Sequence, residues 1–176
     1  MMTGEKEAPK PAATVLLVRD APELEVLMVR RSAGMAFGAS AWVFPGGKVA
    51  GADADPRWDE LSDGDYRDVF EESGLVLATR ALGAEECAPL DAMRGKVEAD
   101  PALFIEMMRE AGLRLALDRL VPFAHWITPS FEPRRFDTHF FLVNAPEGQI
   151  VRHDGREAVD HSWVSPADLL ERRKRG

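Results

Sequence analysis

The chain has 176 residues, 45% of them apolar and 30% charged, enough for one folded domain with a real core and not the composition of a disordered segment. A formal charge of −8 argues against general affinity for nucleic acid polymers or anionic membranes, although bound cations can invert the field at a local site. The single cysteine, Cys87, excludes an internal disulfide and fits a reducing compartment. No apolar run approaches membrane-span length and the Met1–Lys6 segment lacks a signal-peptide core, so the cytoplasm is the expected location.

In chain order, residues 1–12 read as a disordered polar tail and 13–176 as a single domain. Ala13 to Arg19 and Leu24 to Arg31 have strand composition, joined by a turn at 20–23. The run Val15-Leu16-Leu17-Val18 suggests a strand covered on both faces. Ser32 to Ser40 is a glycine-containing loop, and Ala41 to Phe44 a short strand feeding the Pro45-Gly46-Gly47 turn. The loop 48–62 carries Asp53, Asp55 and Asp59, but Pro56 and Arg57 break the spacing that a calcium-binding loop needs. Ser62 with Asp65 three residues on is a variant capping box that starts a helix near 63.

After Gly74 an apolar stretch leads into a helical insertion of about 79–118, with helices at Leu90 to Ala99 and Pro101 to Gly112. Leu120 to Thr128, Arg134 to Val143 and Val159 to Val164 have strand patterns, and Ser165 caps a helix from Pro166 to Arg173. The four histidines, at 125, 139, 153 and 161, do not form a spaced zinc motif. His125 and His139 read as strand-packed residues. Alternating strands and helices, with the insertion, predict an α/β sandwich with a mixed sheet.

The helix at 63–73 carries the chemistry. Asp68, Glu71 and Glu72 fall at i, i+3 and i+4 on one face, while Tyr66, Val69 and Phe70 face the other way. Asp68 and Glu72 repel as a like-charge pair, and Glu71 and Glu72 sit in the last turn, where the helix dipole disfavours negative charge. A hard divalent cation reverses the sign of each term, because Mg²⁺ and Mn²⁺ prefer carboxylate oxygens. The spacing therefore points to a metal site.

The stretch from Gly47 to Leu75 resembles the Nudix box, Gly-x5-Glu-x7-Arg-Glu-hydrophobic-x-Glu-Glu-x-Gly-hydrophobic. Arg67 to Leu75 matches its second half. Asp53 and Asp68 stand where the family has Glu, and the connecting loop is six residues longer. The resemblance implies an α/β/α sandwich with a mixed sheet, Mg²⁺ or Mn²⁺ as cofactor, and metal ligation by Asp68, Glu71, Glu72 and the carbonyl of Gly46. Arg67 matches the family's arginine and at i,i+4 would orient Glu71. The family's general base varies in position; Glu157 is the candidate for a base or downstream ligand, with Glu132 second.

A second stretch narrows the branch. Trp126-Ile127-Thr128-Pro129, Arg134-Arg135-Phe136-Asp137-Thr138-His139-Phe140-Phe141 and Trp163-Val164-Ser165-Pro166 are similar to Nudix proteins that include peroxisomal coenzyme A diphosphatases. The helical insertion fits the same branch, whereas the Leu-Leu-Thr-x-Arg coenzyme A signature of another branch is missing. Arg134 or Arg135 is expected either to grip a substrate phosphate or to pair with Asp137 on a strand surface. The implied activity is metal-dependent cleavage of a diphosphate in a nucleoside diphosphate derivative such as coenzyme A or an acyl-CoA. The rival is a weakened Nudix module that binds such a ligand without efficient hydrolysis, favoured by the shorter arms of Asp53 and Asp68. The partner is a small-molecule diphosphate, with no nucleic acid polymer and no membrane; frequent dimers in the family leave a homodimer open.

Overall fold

The computed structural model describes residues 8–35, 38–49, 67–100 and 102–174, and the side chains of Arg67 and Asp68 lie outside the description. Strands β1 (Lys10–Ala21), β2 (Glu23–Arg31), β3 (Trp42–Val43) and β4 (Gly46–Lys48) precede helix α1 (Arg67–Ser73). Helices α2 (Ala84–Ala99) and α3 (Ala102–Glu110) follow, then β5 (Val121–Ile127), β6 (Phe136–Asn144), β7 (Ala158–Val164) and α4 (Pro166–Lys174). The strands form one seven-stranded sheet in which β1 and β6 run parallel and the other pairings are antiparallel. This is the mixed sheet expected from the sequence.

The cleft described below depends on how β1 and β2 separate. They pair only from Val18↔Val26 to the hairpin tip at Ala21↔Glu23. Beyond that point β1 takes β4 as its partner, at Ala12 to Thr14, and β2 takes β3, at Val29 and Arg30. The short β3–β4 unit is thus wedged between two diverging strands. Pro45 caps the join, its carbonyl accepting the Val15 N–H at 2.9 Å.

Glycine is required in that wedge. A Cβ on Gly46, whose φ is +155°, would stand 2.4 Å from the Ala13 carbonyl oxygen and 2.7 Å from the Thr14 Cα. Both obstacles are backbone, so neither can rotate away.

Three apolar clusters hold the layers. Val15, Leu17, Leu27 and Val143 on one face of the sheet meet Val69 of α1 and Leu75 and Leu77 of the segment that follows it. Leu16, Val18 and Val26 on the other face meet Leu169 of α4. A third cluster joins α1 to the inserted helices, with the Phe70 ring stacked on Phe104 at 5.4 Å. Full burial of a side chain of that size is worth about 1.5–3 kcal/mol, so α1 is held from two sides. Three layers, helix over sheet over helix, follow from these contacts.

Several boundaries differ from the sequence reading. The first strand starts at Lys10, inside the segment 1–12 read as a tail, because β6 supplies parallel partners from Phe136 onward. Even Pro11 serves there, its carbonyl accepting the Val49 N–H. Helix α2 begins at Ala84 rather than Leu90, and Pro89 lies within it. Gly83 sets the start, donating its N–H to Glu86 Oε2 at 3.0 Å. The carbonyl that Pro89 cannot bond belongs to the exposed Glu85 and can be hydrated. The second inserted helix ends at Glu110 rather than Gly112, and β6 starts at Phe136, leaving Arg134 and Arg135 in the preceding loop. Ser165 does cap the last helix, its hydroxyl accepting the Asp168 N–H. The expected cap at Ser62 and Asp65, and Asp53, lie outside the described residues. No helix among the described residues is long and apolar enough to cross a membrane.

Substituting Gly46→Ala should lower unfolding free energy by about 2–3 kcal/mol, the scale of forced overpacking, as read by urea denaturation. A variant as stable as the parent would contradict the wedge geometry.

Candidate active site

The last turn of α1 opens onto a cleft of about 1160 Å³ at the place where the β3–β4 wedge separates β1 from β2. Glu71 and Glu72 line it together with Gly46 and Gly47. Gly46 donates its backbone N–H to Glu72 Oε2 at 3.1 Å, and Glu71 Oε1 is shielded from solvent. The sequence reading assigned the Gly46 carbonyl to metal ligation. The Gly46 amide is the group that contacts Glu72, and the missing Cβ admits close approach of β1.

Of the expected site residues, the cleft gathers Gly46, Glu71, Glu72, Arg134, Arg135 and Glu157, and also the second-choice Glu132. Arg67 and Asp68 occupy the first turn of α1. Arg135 donates Nε–H to the Thr128 carbonyl at 3.1 Å, which ties the loop to the end of β5. Asp137, the alternative partner for these arginines, contacts His125 and His139 instead.

Glu157 is placed by an acid that the sequence reading passed over. Asp154 accepts backbone N–H groups from Arg156 and Glu157 on Oδ2, at 3.1 and 2.8 Å, and from Ala158 on Oδ1 at 2.7 Å. This side-chain turn folds the loop so that Glu157 enters β7 from the cleft wall, while its carbonyl accepts the Ser32 N–H. Glu98, from the inserted helix α2, also lines the cleft and accepts from Arg156 Nη1 at 3.1 Å. Arg31 joins the wall from β2, with a buried Nε that has no hydrogen-bond partner among the described residues. Nothing in the box pattern points to Glu98 or Arg31, because both reach the cleft through tertiary packing.

Arg94 explains how α1 tolerates its acidic ending. This arginine of α2 is 8% exposed. It donates Nη2–H to the Glu71 carbonyl at 2.7 Å and Nη1–H to the Arg152 carbonyl and Asp91 Oδ1 at 2.6 and 3.1 Å. A buried cation thus sits on the Glu71 carbonyl in the last turn of α1, where the helix dipole favours it. Arg152 returns the contact, donating its amide to Ser73 and its guanidinium to Asp91. A sequence signal existed: Leu90, Arg94 and Val97 share one face, so a charge interrupts an apolar stripe.

Two titrating groups are shifted near this region. Burial, then the neighbouring His153, lowers the pKa of His161 below its ordinary value of 6.5. Burial, then Glu86 and Asp91, raises that of Cys87, keeping the thiol protonated and unreactive.

Replacing Arg94 by Met should cost about 2–3 kcal/mol, the scale of lost charge-assisted hydrogen bonds, in chemical denaturation. Arg94→Lys should recover only part of it, since one ammonium nitrogen cannot span acceptors that the guanidinium reaches from two separate nitrogens. Equal stability of parent and Met variant would refute the clamp.

The family described as the NUDT19 Nudix domain matches residues 64–176. Among curated relatives, the acyl-coenzyme A diphosphatase NUDT19 of Xenopus laevis is 24% identical, the alignment covering 85% of this chain and 54% of the relative. The human protein of that name is 30% identical over 60% of this chain and 32% of its own length. The chain spans about half the length of the curated relatives it matches. Among solved structures, a Nudix hydrolase from Alicyclobacillus acidocaldarius superposes with a TM-score of 0.72 at 28% identity, over 96% of this chain and 84% of that one. The Nudix domain of Shewanella oneidensis NrtR, crystallised with ADP ribose, shares the fold at a TM-score of 0.53 and 15% identity, over 94% of this chain and 78% of that one. Since the family match runs over most of the chain, from the acidic helix through the final strand and helix, the chain belongs to the NUDT19 Nudix domain family.

Proposed function

We propose that the protein hydrolyses a diphosphate linkage in a nucleoside diphosphate derivative, with coenzyme A or an acyl-CoA as the favoured substrate class. One observation carries this reading: the carboxylates of Glu71 and Glu72 and the cations Arg134 and Arg135 line the same cleft. A diphosphate requires both kinds of group, because its negative oxygens must be neutralised before water can attack.

Nudix hydrolases generally use divalent metals. The donor set fits a hard ion: Glu71 and Glu72 offer carboxylate oxygens in the cleft, and Asp68 lies one helical turn before Glu72. Mg²⁺ or Mn²⁺ bound there would neutralise phosphate charge and acidify water. The chain's own residues do the rest. Gly46 holds Glu72 in register through its N–H, and Arg94 fixes the backbone of Glu71. Arg134 and Arg135 grip the outer phosphate oxygens, and Glu157 takes the proton of the attacking water. Arg67 stands one turn before Glu71 in α1, the position from which an arginine would orient that carboxylate. The cleft volume suits a large conjugate rather than a free pyrophosphate. The named activity of the NUDT19 relatives favours coenzyme A derivatives, and the lone cysteine fits a reducing, cytoplasmic setting.

The test is a substrate panel in Mg²⁺ or Mn²⁺: coenzyme A, an acyl-CoA, ADP-ribose, NADH and diadenosine polyphosphates, followed by release of phosphate-bearing products. Turnover is expected on at least one and lost with EDTA. Glu72→Gln and Glu71→Gln should each raise the metal concentration that gives half-maximal rate. Glu157→Gln should lower kcat about 100-fold or more without moving that concentration. Tight ligand binding without turnover under either metal would instead establish the binding-module reading that the short arms of Asp53 and Asp68 favour.

A further inference from the structure

Three metal-ligating side chains meet on β5 and β6, away from the cleft. In the antiparallel register His125 lies opposite His139 and Ile127 opposite Asp137, so His125, His139 and Asp137 project from the same face of the ribbon. That face is the reverse of the one carrying Phe136 and Thr138, which line the cleft. The two imidazole rings stack at 4.1 Å with 10° between their planes. Both Nε2 atoms approach one carboxylate oxygen: His125 Nε2 contacts Asp137 Oδ1, and His139 Nε2 stands 4.0 Å from it. One ligand atom from each residue falls within 4.8 Å of the others, and this is the one such group of three among the described residues. The side chains are 46%, 57% and 35% exposed for His125, His139 and Asp137, so an ion can enter from solvent.

We propose that His125, Asp137 and His139 form a second divalent-metal site, one that takes a borderline ion of the Zn²⁺, Ni²⁺, Co²⁺ or Cu²⁺ class. Two imidazole nitrogens and one carboxylate oxygen supply three positions of a tetrahedral shell and leave the fourth for water. Ligand atoms around such an ion lie about 3.3 Å apart, which rotations of these exposed side chains reach without any movement of the strands. Nitrogen donors select against Mg²⁺, which requires oxygen, so the two sites sort their ions by donor type. The inference does not rest on the reaction proposed for the cleft. Bound metal would bridge β5, the outer strand on that side of the sheet, to β6.

The spacing explains why the sequence showed no zinc motif. His125 and His139 are fourteen positions apart on different strands, and antiparallel register rather than local spacing brings them together.

The experiment titrates Zn²⁺ into metal-stripped protein resupplied with excess Mg²⁺, by calorimetry, and records the visible spectrum of Co²⁺ bound in its place. One equivalent of Zn²⁺ is expected to bind the parent and raise its melting temperature. Affinity should fall at least tenfold in His125→Ala and in His139→Ala, with the Co²⁺ spectrum altered in both. Circular dichroism shows whether each variant is folded; His125→Gln, which retains a polar side chain, replaces any that is not. Binding should persist in Glu72→Gln and in the double variant His153→Ala, His161→Ala, which removes the other close histidine pair (Nδ1 atoms 3.2 Å apart). Failure of the parent to bind Zn²⁺ over Mg²⁺, affinity unchanged in the His125 and His139 variants, or loss in Glu72→Gln or the double variant would overturn the proposal.

Discussion

Carboxylates gathered in the final turn of a helix repel both one another and the carbonyls of that turn. The rest of the structure is organised around keeping Glu71 and Glu72 there. Two backbone-level devices do so. The Gly46 amide meets Glu72 from the wedge between β1 and β2, and the buried Arg94 meets the Glu71 carbonyl from the inserted helix α2. Each depends on a long-range feature: the first on strands that pair only between Val18 and the hairpin tip, the second on an insertion folded back over α1. The insertion is closed at its base by the Ala78↔Leu115 bridge and by amides from Thr79 and Ala116, which makes it a fixed wall of the site rather than a dangling excursion.

This division of labour separates stability from chemistry. Val69 and Phe70, on the inner side of α1, are each 1% exposed and anchor it to two different apolar clusters. The outer side is then free to hold like charges, since burial of the inner side offsets their mutual cost. The electrostatics of the cleft follow the same logic. A chain of net charge −8 places Arg31, Arg134 and Arg135 in one cleft with its acidic residues. An anionic ligand therefore meets local cations despite the overall field.

Much of this was legible in the residue order, and the rest was hidden for identifiable reasons. The acidic helix declared itself through spacing, and the strands through apolar runs, because both are local patterns. Arg134, Arg135 and Glu157, candidates for a phosphate grip and a base, line the same cleft as Glu71. Boundaries failed where tertiary partners extended an element: β1 reaches Lys10 because β6 runs alongside it, and α2 reaches Ala84 because Gly83 and Glu86 start it ahead of Pro89. Arg94, Glu98 and Asp154 were missed because their roles require knowing what lies across the cleft. Only Arg94 left a trace, as a charge within an apolar helical stripe. At Gly46 the bare backbone is required by the close approach of Ala13 and Thr14 of β1, which the box pattern does not show.

The claim at the centre is that a divalent cation sits against the carboxylates of α1. Crystals grown in Mn²⁺ test it most directly, because manganese can be located by anomalous scattering independently of any refined side chain. The expected result is an anomalous peak in the cleft in contact with carboxylate oxygens of Glu72 and Glu71. An ordered cleft with both side chains turned from each other and no peak between them would contradict it.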